Sequence, residues 1–354
     1  MERIIKTIQI VLYLFYSCLP VFSQHQISKI EEHSVSGFKL SVYLPPGYDS
    51  VKNAKVLFFN DGQTLFDEYS LRMDKTADEL INSRWIEPII IVGIHSDVNR
   101  TSNYVPYSDE GARQDFGDYQ PNAGKYTEKI IRQIIPYIEK TYKTNRVYGI
   151  AGYSFGGLHA TWAALNYPDV FTFSGALSPS YWVNNFQIFK EGSKAQAHQV
   201  YYFDVGTGEW NYYVPMLLYS KLLILQQIFY YEDFGGLHDI ESWRGDRIKN
   251  MLLLFAGKTD TNTYHWEIQQ EMIKSVVTGK IYPRLNPIII YSNGLKCSIS
   301  YAAEFTLLNT ADGRINKDGS FQFINPIGLK VKITYRGEEK TITVPYSEYA
   351  KIKD

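Results

Sequence analysis

Arg146-Val147-Tyr148-Gly149-Ile150-Ala151-Gly152-Tyr153-Ser154-Phe155-Gly156-Gly157-Leu158-His159-Ala160-Thr161-Trp162-Ala163-Ala164-Leu165 is the stretch from which the fold can be read. Its first part, Arg146 to Ala151, is short and apolar and reads as a buried strand, and its last part, Leu158 to Leu165, reads as a helix. Ser154 stands at the junction, inside a Gly-x-Ser-x-Gly pattern. Gly152 and Gly156, lacking a Cβ, let strand and helix crowd together while the serine takes a strained turn that lifts its hydroxyl above the sheet. A serine presented in this way is a candidate nucleophile.

Outward from this turn, strands and helices alternate. Strands are expected at Gly37–Leu44, Lys55–Asn60, Pro88–His95, Phe171–Leu177, Gln199–Asp204 and Ile228–Glu232. Helices are expected near 73–83, 126–142 with Pro136 placed to kink it, 215–225, 246–256 and 262–277. The near-continuous apolar strands suit a mostly parallel central sheet covered on both faces, an α/β architecture. Residues 96–124 have no sustained period and leave a central strand, as a substrate-facing loop would. From about Pro287 the texture changes to short β-type runs separated by Asn293-Gly294, Asp312-Gly313, Asp318-Gly319 and Arg336-Gly337 turns. That pattern predicts a small antiparallel, sandwich-like module. The expected division is a leader over 1–23, an α/β domain over 24–285 and a β-rich module over 286–354.

The net charge is −1, with 36 Lys plus Arg against 37 Asp plus Glu, so nucleic acid and anionic membrane surfaces are poor partners. Aromatic residues make up 15%, including 29 tyrosines, which suits a sugar- or aryl-binding surface as well as an ordinary tyrosine-rich exported protein. Residues 1–23 have the form of a secretory signal: Arg3 and Lys6, an apolar run from Ile8 to Phe15, and a cleavage site at Val21-Phe22-Ser23. The apolar run is short for a membrane span, and Phe15-Tyr16-Ser17 before Cys18 is a poor lipoprotein signal. Cleavage after Ser23 leaves Cys297 as the one cysteine, with no intrachain disulfide to form. The expected location is periplasmic or extracellular, without a stable membrane span.

A serine hydroxyl needs an imidazole to take its proton and a carboxylate to orient that imidazole, and on such a turn acid and histidine follow the serine in that order. His238, after Gly235-Gly236 and the last core strand, is the candidate base. Glu209, in the Val205-Gly206-Thr207-Gly208-Glu209 turn, is the favoured acid, with Asp204, Asp233 and Asp239 as competitors. His95 precedes the serine and reads as a pocket-lining or strand-capping residue, and His159 as packed or exposed on the elbow helix. Oxyanion donors are expected from the Phe155 N–H and from the Asp61-Gly62-Gln63 loop, where Gly62 allows close approach and Gln63 offers its N–H. Trp182, Trp243, Tyr153 and Arg100 are candidate pocket residues. No metal or other cofactor is required by this chemistry.

Asn60-Asp61-Gly62-Gln63-Thr64-Leu65-Phe66-Asp67, Gly152 to Leu158, Tyr167-Pro168-Asp169-Val170-Phe171, Ser178-Pro179-Ser180-Tyr181-Trp182 and Gly236-Leu237-His238 with Trp243 together resemble the esterase D family. That group includes enterochelin esterase-like, feruloyl and acetyl xylan esterase-like hydrolases. The resemblance runs over about residues 27–255. It implies an α/β-hydrolase fold and metal-free acyl transfer, with Ser154 as nucleophile, His238 as base and Glu209 as orienting acid. Many members carry Asp where this chain has Glu209. The implied substrates are sugar-linked acetyl or feruloyl esters or siderophore-type esters. An acyltransferase with the same triad, or an inactive glycan- or partner-binding protein on the same scaffold, are the alternative readings. Oligomeric state is not legible.

Overall fold

The computed structural model describes residues 27–210, 227–258, 260, 262–274 and 281–349. The leader and the helix expected near 215–225 lie outside the described residues. The central sheet is built from β1 (Lys29–Val35), β2 (Phe38–Leu44), β3 (Ala54–Asn60), β4 (Ile89–Ile94), β5 (Thr144–Tyr153), β6 (Phe171–Leu177), β7 (Val200–Gly206) and β8 (Ile228–Asp233). Their spatial order is β1-β2-β4-β3-β5-β6-β7-β8, with β2 antiparallel to β1 and β4 and every pair from β4 to β8 parallel. It is an α/β-hydrolase-type sheet.

Alternation along each strand divides the core into two layers. Val56, Phe58, Ile90, Val92 and Ile150 face one layer, and Leu57, Phe59, Ile89, Ile91 and Ala151 face the other. Each layer is covered by helices, which is why these strands read as nearly unbroken apolar runs. β1 was not expected from its sequence. It is a polar edge strand, Lys29-Ile30-Glu31-Glu32-His33-Ser34-Val35, recruited by a two-residue turn in which Ser36 and Gly37 both have positive φ (51° and 87°). The helix expected over 126–142 spans Ala123–Lys129, a π-helical stretch Ile130–Ile134 and Ile135–Thr141. The π stretch ends just before Pro136, whose missing N–H breaks the α-helical ladder there.

The C-terminal strands are antiparallel: β9 (Tyr264–Lys274), β10 (Ile281–Tyr291) and β11 (Lys296–Ser298) form one sheet. β12 (Glu304–Leu307), β15 (Leu329–Tyr335) and β16 (Glu338–Val344) form a second, and β13 (Gly313–Ile315) pairs with β14 (Phe321–Phe323). The helix expected over 262–277 is therefore corrected to strand β9. Glu, Gln and Met at its centre favour a helix, but pairing with β10 across eleven residues overrides that local preference. β10 is longer than its sequence suggests because Pro283 and Pro287 interrupt the strand pattern. Among the described residues no helix is long and apolar enough to cross a membrane.

These strands cover the edge of the central sheet at β8. Leu285, Ile288, Ile289, Val331 and Ile333 share one apolar layer with Phe229 and Tyr231, and the Glu232 N–H donates to Ser298 Oγ at 2.9 Å. Arg284, Glu232 and Glu271 are buried together at this junction, with Arg284 Nη1 3.3 Å from Glu271 Oε1. One guanidinium faces two carboxylates. Burial and the neighbouring Glu232 push Glu271 up to about 8, against the pull of Arg284. A carboxyl whose folded pKa exceeds its ordinary value stabilises fully below that value, and the contribution is lost as pH rises through the folded pKa. The thermal midpoint should thus decline as pH rises from about 5 to about 9, and Glu271→Gln should flatten that part of the profile. Calorimetry across this range tests it; parallel wild-type and variant profiles would contradict the assignment.

Candidate active site

The carboxyl ends of β3, β5, β6, β7 and β8 meet at one sheet edge. At the end of β5, Ser154 has φ 56° and ψ −123°, strained for a residue with a Cβ, and caps the helix Phe155–Asn166. A Cβ at Gly152 would lie 2.6 Å from the Gly156 backbone, so strand and helix approach this closely only without one. Ser154 N–H donates to Leu177 O at 3.0 Å, and Ser180 N–H donates to Ser154 O at 3.1 Å. The turn is thereby held by the neighbouring strand β6. The Ser154 hydroxyl lies 3.3 Å from Ser180 Oγ and, among the described residues, makes no hydrogen bond to His238. Ring contacts connect the two loops instead: Tyr153 stacks on Trp243 at 4.4 Å, and Trp243 meets His238 edge-on at 5.2 Å.

His238 Nδ1 lies 2.8 Å from Glu209 Oε2. Because a carboxylate only accepts, Nδ1 carries the proton and Nε2 is left as a base. The other oxygen, Glu209 Oε1, accepts from Gly206 N–H at 2.6 Å, Ser178 Oγ–H at 2.5 Å and Arg247 Nη2 at 3.1 Å. Burial opposes ionisation of Glu209, but the His238 hydrogen bond, the Arg247 charge and Ser178 hold it below its ordinary value.

The three competing carboxylates are occupied otherwise. Asp204 Oδ1 accepts from Arg247 Nε at 2.9 Å and Nη2 at 2.7 Å, and from Ser178 N–H at 3.0 Å. Burial raises Asp204 despite the Arg247 charge. Asp233, raised to about 6 by burial against the Arg247 charge, bounds the Gly236 turn, and Asp239 caps the short helix Ile240–Trp243 through Ser242 N–H at 2.8 Å.

Upstream, β3 delivers Asp61-Gly62-Gln63 beside β5. Asp61 is left-handed (φ 61°), and a Cβ on Gly62 would sit 2.2 Å from Gly93 C, so this loop presses on β4. Arg100 clamps Asp61 in a bidentate pair, Nε to Oδ1 at 2.8 Å and Nη2 to Oδ2 at 2.7 Å. The Gln63 side chain is tied to Ser96 by two hydrogen bonds of 2.7 and 3.0 Å. Phe155 opens its helix, so its N–H has no intrahelical acceptor. His159 is buried between Asn60 Nδ2 (3.0 Å) and Thr127 Oγ1 (2.8 Å), and burial lowers it to about 3, so it is neutral and structural. His95 Nε2 contacts Ser41 Oγ at 2.7 Å on the far side of the loop.

Of the candidate pocket residues, Tyr153 and Trp243 back the site: Trp243 is buried and its indole N–H donates to Ser178 Oγ at 2.8 Å. Trp182 lies 6.1 Å from Phe155 and 5.7 Å from Trp210, while Phe116 lies 4.8 Å from Phe155. Phe116 and Trp210, at 55% and 56% exposure, were not singled out from the sequence, nor were Ser178, Ser180 as a neighbour of Ser154, and Arg247. Trp210 directly follows the candidate acid, and that adjacency is the one signal available for it. Arg247 sits in a helix with no polar pattern to mark it. Among the described residues no three His, Cys, Asp or Glu side chains are arranged to hold a metal ion.

A family model described as "Putative esterase" matches residues 36–251. The chain belongs to that esterase family. This family member is 28% identical over 160 residues to the uncharacterized protein YbbA of Bacillus subtilis (strain 168), covering 44% of this chain and 62% of YbbA. It is 25% identical over 182 residues to endo-1,4-beta-xylanase Y of Acetivibrio thermocellus, covering 46% of this chain and 15% of the xylanase. The match thus spans less than two thirds of either relative. Among solved structures, the IroE-like serine hydrolase from Shewanella oneidensis matches with TM-score 0.54 and 20% identity, covering 64% of this chain and 79% of that one. The siderophore hydrolase EstA from Aspergillus nidulans matches with TM-score 0.54 and 18% identity, covering 66% and 95%. At these identities the likeness is one of fold.

Replacing Arg247 with Met leaves Asp204 and Glu209 buried without their shared cation. Unfolding by urea should show a loss of about 3–5 kcal/mol, the usual cost of removing one partner of a buried ion pair. A loss below about 1 kcal/mol would show the cluster to be energetically idle.

Proposed function

We propose that this family member is an exported serine carboxylic-ester hydrolase working through Ser154, His238 and Glu209. The observation carrying the reading is the 2.8 Å contact between Glu209 and His238 Nδ1, at the sheet edge where the strained turn presents Ser154. With Nδ1–H held by the carboxylate, His238 Nε2 takes the Ser154 proton as Oγ attacks the ester carbonyl carbon. The Phe155 and Gln63 N–H groups receive the oxyanion. Collapse of the tetrahedral intermediate breaks the C–O bond, and His238 gives its proton to the departing alkoxide. Water, deprotonated by His238, then attacks the acyl-enzyme and releases the carboxylic acid, and Ser154 regains its proton. For this sequence the Ser154 hydroxyl turns from Ser180 toward His238 as substrate arrives.

The proposed substrates are sugar-linked acetyl or feruloyl esters, or siderophore-type esters. The exposed rings of Phe116 and Trp210, with Trp182 between them and Phe155 beneath, support this by offering a ring-stacking wall next to the nucleophile. Export rests on the form of residues 1–23.

Wild-type protein should label with a fluorophosphonate and hydrolyse p-nitrophenyl acetate, and Ser154→Ala should lose labelling and about 10⁴-fold or more in kcat. Folded wild type that neither labels nor turns over would end the enzyme reading. Glu209→Ala should cost far more activity than Asp204→Asn; the reverse order would transfer the acid's role to Asp204.

A further inference from the structure

Behind the Asp61-Gly62-Gln63 loop, away from His238, lies a cavity of about 710 Å³ bounded by the β1–β2 turn, the segment His95–Tyr104 and the segment Gln120–Lys129. Its volume is that of a site for a small organic molecule. Lys39, Arg100, Lys125 and Lys129 line it, with Asp97 as the one carboxylate among its lining residues. Two of these cations are already paired, Arg100 with Asp61 and Lys39 with Glu32, which leaves Lys125 and Lys129 as the excess positive charge at this cavity.

Lys125 and Lys129 are four residues apart on the helix Ala123–Lys129, where like charges repel, and among the described residues neither has an ion-pair partner. Lys39 reaches Glu32 only at 3.9 Å. Asp97 is exposed, its Oδ1 accepting from Asn99 N–H at 2.8 Å. Arg100 spends Nε and Nη2 on Asp61 and keeps Nη1 for another acceptor. The floor is formed by Tyr104, whose hydroxyl accepts from Asp61 N–H at 2.9 Å, and by Tyr126. His95 adds an acceptor: Ser41 gives its proton to Glu32 at 2.6 Å, so His95 Nε2–H donates to Ser41 and Nδ1 is left without a proton.

We propose that this cavity binds a small organic anion bearing two or more carboxylate or phosphate groups, at a site separate from Ser154 and joined to it through the Arg100–Asp61 pair. Charged oxygens take the Lys125, Lys129 and Arg100 donors, and a ligand hydroxyl donates to His95 Nδ1. Arg100 also lies over the rings of Tyr153 (5.8 Å) and Phe155 (6.0 Å), the two neighbours of Ser154, so an occupant is felt at the elbow.

The test is calorimetric titration of the Ser154→Ala protein, which removes turnover from the readout, with citrate as the carboxylate probe and glucose 1,6-bisphosphate as the phosphate probe at fixed ionic strength. Saturable one-to-one binding of either probe, with none of glucose, supports the site and says which anion it prefers. The pair Lys125→Gln/Lys129→Gln should weaken that binding about tenfold or more, and Lys129→Glu should weaken it too. The distant pair Lys317→Gln/Lys330→Gln should leave it unchanged. Absence of saturable binding of both probes, or equal affinity in the cavity and distant variants, overturns the proposal whether or not the protein hydrolyses esters.

Discussion

The arrangement at the sheet edge depends on one buried guanidinium. Arg247, on the helix Asp246–Ala256, reaches Asp204 at the end of β7, Glu209 in the following loop and Ser178 at the end of β6. Three charges are buried together there, and the desolvation they suffer is offset by closely spaced, directional hydrogen bonds. The consequence for Glu209 is geometric. Three donors hold Oε1, which leaves Oε2 aimed at His238 and makes the carboxylate a fixed acceptor where it would otherwise be a mobile turn residue. Asp204, which lies two positions inside the end of the strand, takes the structural half of this division and Glu209 the half that faces the imidazole.

A second constraint is the crowding of backbones without side chains. Gly152 lies against Gly156, and Gly62 lies against Gly93, so the two turns that flank the expected oxyanion position are pressed onto the strands beneath them. The parallel order places β3 on one side of β5 and β6, β7 and β8 on the other. Residues separated by most of the domain in sequence therefore reach one edge through short turns, and none of those turns has to be long.

Much of this was legible before the coordinates. The buried strands announce themselves by apolar runs, and Ser154, Glu209 and His238 stand out as candidates because each follows a strand of the parallel sheet, β5, β7 and β8. What stayed hidden has physical causes. β1 is polar because it is an edge. β9 carries Glu, Gln and Met because only its partner strand makes it extended. The choice between Glu209 and Asp204 depends on where a carboxylate points, and two acids five residues apart across glycines give no linear clue. Arg247 was invisible because its meaning lies in what it touches. The aromatic wall was seen only in part: Trp182 stood in a motif, while Phe116 belongs to a segment without periodicity and Trp210 to a turn.

The covered edge of β8 has a bearing on how the molecule is made. The strand that leads to His238 ends a parallel sheet, and its outer face is completed by Ser298, Arg284 and the apolar residues of β10, all synthesised later. During translation the sheet thus emerges with an open margin, the kind of surface that attracts other chains. Closure waits for the C-terminal strands to leave the ribosome. The C-terminal strands thus supply, from within the same chain, the cover that the last core strand lacks until they are made.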